Sequence, residues 1–155
     1  TSSIRRNSPL CLDSKIHHAN LINNILAKIE ANYAGVDDAI MLDVNGFVSE
    51  RNSTNIFMIK KGVVMTPFAP SCLPGITRGL VIDICMNNDI PFSEKDISIT
   101  ELYNADQVFT TGTMGELAIV EEIDGRKISV IGETFTKIEV LFRNLTQKEG
   151  EVLPF

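Results

Sequence analysis

The chain has 155 residues, a net charge of −6, 44% hydrophobic and 22% charged residues, the balance of one soluble domain with its own core. That acidity argues against nucleic acid as the main partner, because phosphate neutralisation needs a basic face. No run reaches the roughly 18–20 apolar residues that span a bilayer, so no membrane partner is expected either.

Three cysteines, Cys11, Cys72 and Cys85, are an odd number without CxxC spacing and read as reduced thiols. No apolar run follows Arg5-Arg6 to form a secretory signal. The expectation is a cytoplasmic protein, with an organelle open if sequence lies upstream. Arg5-Arg6, the one basic cluster, reads as a solvated strand end.

In chain order, residues 2–6 suit a strand that Asn7-Ser8-Pro9 breaks. From His17 to Tyr33 the apolar residues Leu21, Ile22, Ile25, Leu26 and Ile29 recur at helical spacing, and Gly35 stands where a helix C-cap glycine belongs. Residues 38–66 read as an antiparallel meander, with Asn45-Gly46 as a hairpin turn and Lys60-Lys61-Gly62 turning the third strand into Val63-Val64-Met65. Leu73-Pro74-Gly75 opens a helix with the stripe Leu80, Val81, Ile84 and Cys85. Ser98 and Glu101 have capping-box spacing. Strands follow at Gln107–Thr110 and Leu117–Val120, Asp124-Gly125 makes another hairpin, and Phe135, Ile138, Leu141, Phe142 and Leu145 mark a closing helix. The class is α+β: a curved, largely antiparallel sheet with helices outside it.

Four polar elements fall at the ends of these units. Lys15 lies in the link before the first helix, where a desolvated amine would be a nucleophile toward an aldehyde; the plain alternative is a solvated lysine. Glu50 closes a hairpin strand, either as a loop carboxylate beside Arg51 or as a partner for a protonated ring nitrogen. Gly75-Ile76-Thr77 presents free N–H groups and a hydroxyl at a helix start, an anion site by construction, unless it is only turn chemistry. Thr110-Thr111-Gly112-Thr113-Met114-Gly115-Glu116 is a strand end able to form an N–H nest. His17 and His18 are adjacent on the chain and point apart, so no metal site is expected.

Taken in order, these segments resemble the class IV aminotransferases. The resemblance rests on Ser14-Lys15, the run Asn20–Ala31, Asp43-Val44-Asn45-Gly46-Phe47-Val48-Ser49-Glu50 with Asn55-Ile56-Phe57, Leu73-Pro74-Gly75-Ile76-Thr77-Arg78, Ala105-Asp106-Gln107-Val108-Phe109 and Gly112-Thr113-Met114-Gly115-Glu116. It covers about residues 2–146. It implies the C-terminal, larger domain of a fold that binds pyridoxal 5′-phosphate (PLP). In that reading Lys15 is the Schiff-base lysine and Glu50 binds the pyridine nitrogen. Gly75, Ile76, Thr77, Gly112 and Thr113 hold the phosphate, and Thr113 and Met114 meet the substrate carboxylate.

The resemblance also implies the activity: an amino group moves between a branched-chain or D-amino acid and a 2-keto acid. Residues 1–155 then form one PLP-binding domain, the family's smaller N-terminal domain is absent from it, and the working unit is a homodimer. Leu21 stands where branched-chain enzymes often have Tyr, which leans toward the D-amino-acid or lyase branch. An aminodeoxychorismate lyase of the same fold and a cofactor-free binding module stay open as alternatives.

Overall fold

The computed structural model describes residues 1–68, 72–130 and 132–149. In chain order the elements are α1 (Ile22–Ala34), β1 (Ile40–Leu42), β2 (Val48–Arg51), β3 (Asn55–Lys60), β4 (Val63–Thr66), α2 (Ile76–Asn87), β5 (Phe92–Glu94), α3 (Ile99–Tyr103), β6 (Gln107–Gly112), β7 (Glu116–Ile119), β8 (Glu122–Ile123), β9 (Arg126–Lys127) and α4 (Glu133–Glu149). This is the expected α+β class. No helix among the described residues is long and apolar enough to cross a membrane.

The central sheet has the order β5-β4-β3-β6-β7. Its pairs are antiparallel except β4 with β5. β3 is apolar at every central position, Ile56-Phe57-Met58-Ile59, because both of its faces are covered. Alternate side chains go to opposite sides. Phe57 and Ile59 join Val81, Ile84 and Cys85 of α2 and Ile138 and Phe142 of α4 in one core. Ile56 and Met58 join Ile97, Leu102, Val108 and Ile123 in a second. In the first, Phe57 stacks on Phe109, its cross-strand partner, at 5.0 Å between ring centroids, a pairing worth about 0.5–1.5 kcal/mol beyond area burial.

Two turn dipeptides lie where the sequence puts them, whereas Asn45-Gly46 sits in a longer turn closed by Asp43 N donating to Phe47 O, with positive φ at Gly46 and not at Asn45. Lys61 and Gly62 have φ of 50° and 77°, Asp124 and Gly125 of 49° and 77°, and each pair closes a two-residue hairpin. Their positive φ at both central positions matches the right-handed twist of the flanking strands. α3 has its capping box, with Ser98 Oγ accepting from Glu101 N and the Glu101 side chain accepting from Ser98 N.

Three expectations are revised. The meander over 38–66 is divided: β1 and β2 form a separate pair, the chain turns where Arg51 N donates to Thr54 O, and β3 pairs with β4 and β6. Residues 2–6 form no regular strand but lie along β1, with Ser2 N donating to Ile40 O and Arg6 N to Leu42 O. The first helix starts at Ile22, not near His17, and its apolar stripe is not its buried face. Leu21, Ile22, Ile25, Leu26, Ile29 and Tyr33 are exposed, while Asn24, Ala27 and Ala31 are buried. At 3.6 residues per turn these two sets lie on opposite sides of the helix.

Candidate functional site

The start of β3, the end of β6 and the start of α2 meet beside the end of β2. Asn55, the first residue of β3, pairs with Thr111 of β6. Gly112 passes so close to Thr54 that a Cβ there would lie 2.8 Å from Thr54 Cγ2. Gly75, the N-cap of α2, passes so close to Asn55 that a Cβ would lie 2.2 Å from its Oδ1. A side chain at Gly112 would therefore displace Thr54, and one at Gly75 would displace the Asn55 amide from its place. Asn55 Nδ2 donates to Glu50 Oε2 at 3.0 Å and to Leu73 O at 2.8 Å. Thus Glu50, the Gly75 turn and Gly112, separate candidates in the sequence, are tied together through Thr54 and Asn55.

Glu50 is 4% exposed, and so is Arg6. Arg6 Nε donates to Glu50 Oε1 at 2.5 Å, and its Nη1 donates to Asn24 Oδ1 at 2.9 Å. Asn24 Nδ2 in turn donates to Asn52 O. Leu73 N donates to Glu50 Oε2 at 3.2 Å. Burial pushes the Glu50 carboxyl above its ordinary value, and the Arg6 charge and hydrogen bond oppose that. The reading of Arg5-Arg6 as a solvated end is thus corrected for Arg6: a buried charge needs a partner, and Glu50 supplies it.

The second nearby cation, Arg78, is committed elsewhere. Its Nη2 donates to Pro67 O at 2.9 Å and to the Glu94 carboxylate. Arg51 turns away from Glu50 and pairs with Asp38 and with Thr110 Oγ1. Cys72, buried near the same group, has its thiol pushed up to about 12 by burial and then by the Glu50 charge. It stays a neutral thiol, and all three cysteines are free.

Of the remaining candidates all but Thr77 lie nearer the surface. Thr77 is buried on the first turn of α2, whereas Ile76 is exposed. Thr113 and Met114 are exposed on the turn between β6 and β7. Lys15 lies outside the Glu50 cluster: it is exposed, its backbone N–H donates to Asp13 Oδ1 in an Asx turn, and its Nζ lies 3.6 Å from Asp13 Oδ2. Several buried polar atoms have no partner among the described residues, including Thr54 Oγ1 and Thr111 Oγ1 at this strand end and Nε of Arg78. Such orphans are rare in folded proteins and mark places where a ligand or water belongs.

Arg6, Asn24 and Asn55 were not named as site residues in the sequence, and Thr111 entered only as part of the strand-end nest. The sequence carries no comparable signal for Arg6; in the structure Ser2 and Arg6 are buried and Ile4 half-buried, so Arg6 lies on the inward side of its segment. Thr111 precedes the glycine that drew attention to Thr113, and only the β3–β6 register shows that it faces inward.

A buried carboxylate, backed by an arginine, thus lies beside a glycine-led helix start and the buried Thr77 and Thr111. The sequence profile described as Amino-transferase class IV matches residues 1–123, and the chain belongs to that family. It is 54% identical over 99% of its length to branched-chain-amino-acid aminotransferase-like protein 2 of Arabidopsis thaliana, of which it covers 28%. It superposes on the Escherichia coli branched-chain amino acid aminotransferase with a TM-score of 0.90 and 35% identity, covering 97% of this chain and 51% of that one. A second solved branched-chain amino acid aminotransferase, the T.th. enzyme with pyridoxamine 5′-phosphate, gives a TM-score of 0.87 and 33% identity, with 96% and 51% covered. The chain therefore spans about a quarter to a half of the length of the relatives it matches.

Proposed function

We propose that the whole protein is a PLP-dependent aminotransferase that moves an amino group between an amino acid, on the branched-chain side, and a 2-keto acid. The names of the relatives support this side of the family, although Leu21 leans the other way. The observation that carries the proposal is Glu50: a buried, arginine-backed carboxylate at the meeting point of three chain ends. The family's cofactor, when bound, supplies an electron sink for the substrate α-carbon.

The residues present fit that group on two edges. A carboxylate offers about four acceptor directions, and described residues fill three at Glu50: Arg6 on Oε1, Asn55 and Leu73 N on Oε2. Among the described residues one is left, on Oε1, for a protonated ring nitrogen. The first N–H groups of α2 lack helical acceptors by construction. With the Thr77 hydroxyl and the orphaned Thr111 hydroxyl they suit a phosphate. Glu50 would hold a proton at the ring nitrogen, and Ile76, Thr77, Gly112 and Thr113 would fix the phosphate; Gly75, whose N–H is given to Leu73 O, would serve by its small size at the helix start. The Thr113-Met114 backbone would orient the substrate carboxylate.

Lys15 is proposed for the covalent link and for moving the proton at the substrate α-carbon. That role rests on the resemblance alone, and the side chain must leave Asp13 to take it. A further domain and a second copy of the chain complete the pocket in this reading.

The test uses the whole protein with PLP. Glu50→Gln should lower kcat roughly 10²–10³-fold, the scale for removing one charge-stabilising group, with PLP still bound. A rate near wild type would remove Glu50 from the reaction. Borohydride reduction followed by peptide mapping should label Lys15; a label on any other lysine, or none in a PLP-loaded protein, removes Lys15 from the proposal.

A further inference from the structure

Glu50 has one cation in hydrogen-bond contact among the described residues, and that cation is fixed from behind. Arg6 comes from the N-terminal segment, which the Ser2 N–Ile40 O and Arg6 N–Leu42 O bonds hold along β1. Its guanidinium is forked: Nε meets Glu50, and Nη1 meets Asn24 of α1. Asn24 is itself bound to Asn52 O, in the turn that follows β2. The chain of contacts thus leaves β2 at Glu50, crosses the N-terminal segment and α1, and returns just beyond β2. Such a closed loop leaves neither side chain free to rotate.

The other groups facing Glu50 cannot replace Arg6. Arg78 of α2 acts on Glu50 through its charge alone, its Nη2 being bound to Pro67 O and Glu94. Asn55 and Leu73 N are neutral donors to Oε2. Cys72 is a neutral thiol.

We infer that Arg6 is a positioning residue for Glu50. It opposes the protonation that burial favours at this carboxylate and fixes Oε1 so that one acceptor direction stays open for an incoming cationic or protonated ligand edge. The identity of that edge as a pyridine nitrogen rests on the proposed function; the Arg6–Glu50 coupling does not. Removing the arginine charge leaves an uncompensated buried carboxylate, and such groups take up a proton instead.

The experiment is therefore run first on the whole protein without PLP. The infrared band of a protonated carboxyl group is followed against pH in wild type, Arg6→Met, Arg6→Gln and Arg6→Lys, with Glu50→Gln to assign it. In Arg6→Met and in Arg6→Gln, which keeps an amide donor if the first variant fails to fold, the Glu50 midpoint should rise by more than about one pH unit, a tenfold change in proton affinity. Arg6→Lys should return it most of the way. An unchanged midpoint in the charge-removing variants overturns the inference.

A second arm measures PLP affinity in Arg6→Gln, Glu50→Gln and the double variant. Residues acting as one unit are non-additive, so the double variant should bind PLP no more weakly than Glu50→Gln. Additive losses would mean that Arg6 acts independently of Glu50, and would also overturn it. Failure of wild type to bind PLP would defeat the proposed function, with the infrared arm still deciding the role of Arg6.

Discussion

Helices α1 and α4 have the same kind of sequence, an apolar stripe at helical spacing, and use it in opposite ways. In α4 the stripe is the buried face: Phe135, Ile138 and Phe142 are buried, and Leu141 and Leu145 pack against the same core. In α1 the large apolar residues face outward, and the helix packs through Ala27 and Ala31 against Ala39 and Met41, with Ile4 beside them. Small side chains let α1 approach closely, and that approach brings Asn24 to Arg6. Periodicity reports that a helix has an apolar side; it does not report which side this chain covers. In α1 the small-residue side carries Asn24 to Arg6, and the large apolar residues face outward in this chain.

The sharpest way to break this comparison is to make the same change in both helices. Ile138 is fully buried, and Ile138→Ala should cost about 2–5 kcal/mol through lost burial and a residual cavity. That is a large part of a typical stability of about 5–15 kcal/mol. Ile25 is 52% exposed, and Ile25→Ala in this chain should stay within about 0.5 kcal/mol. Urea unfolding of the two variants measures both. Equal losses would show that α1 buries its stripe after all. A large loss for Ile25→Ala only in the whole protein would show that the rest of the protein covers it.

A smaller effect is expected on the other face of α1. Ala27 is completely buried in a cluster of small residues, so Ala27→Leu overpacks it, at about 1–3 kcal/mol. The displacement would reach Asn24 one turn earlier, and through it Arg6. The variant should therefore also raise the Glu50 midpoint, by less than the loss of Arg6 does. A destabilised protein with an unmoved Glu50 would separate the packing of α1 from its support of the site.

How much of this was legible in the sequence depends on the range of the interaction. The turn dipeptides Lys61-Gly62 and Asp124-Gly125, the Ser98–Glu101 capping box and the C-cap at Gly35 are decided within a few residues, and each lies where the sequence puts it. The ordered motifs also pointed to Glu50 and to the glycines at 75 and 112, which meet at one place. What failed is decided across the chain. β5 is a three-residue edge strand pairing in parallel with β4, with too little alternation to announce itself. Arg6 looked like half of a charged pair on the surface, because its partner is 44 positions away. The outward face of α1 was unreadable for the same reason: burial of a stripe depends on what lies opposite it.

The last and smallest test concerns the bond between α1 and the N-terminal segment that carries Arg6. Glu30 of α1 accepts from the Ser2 and Ser3 hydroxyls and from Ser3 N. These bonds, the Ser2 hydroxyl first, hold its carboxyl below the ordinary value of 4.5. A carboxylate whose folded pKa is depressed binds its proton more weakly in the folded state. Its stabilisation is fully present above that ordinary value of 4.5 and is lost as pH falls through the lower, folded value. The group is close to solvent, so the term is small. Other carboxylates, such as Asp106 and Glu101, are depressed as well, and total acid stability cannot isolate it. The difference in melting temperature between wild type and Glu30→Gln does. It should be small and positive near neutral pH and shrink toward zero as the solution is acidified below pH ~4. In the same variant, hydrogen exchange at the Ser2 and Arg6 amides should quicken at neutral pH, because Glu30 no longer ties down the segment that bonds to β1. A stability difference that does not change with pH would show that Glu30 holds the segment by shape rather than by charge. The polar link from α1 to the Arg6 segment would then rest on Asn23, whose Nδ2 donates to Arg5 O, and on Asn24, which accepts from Arg6 Nη1.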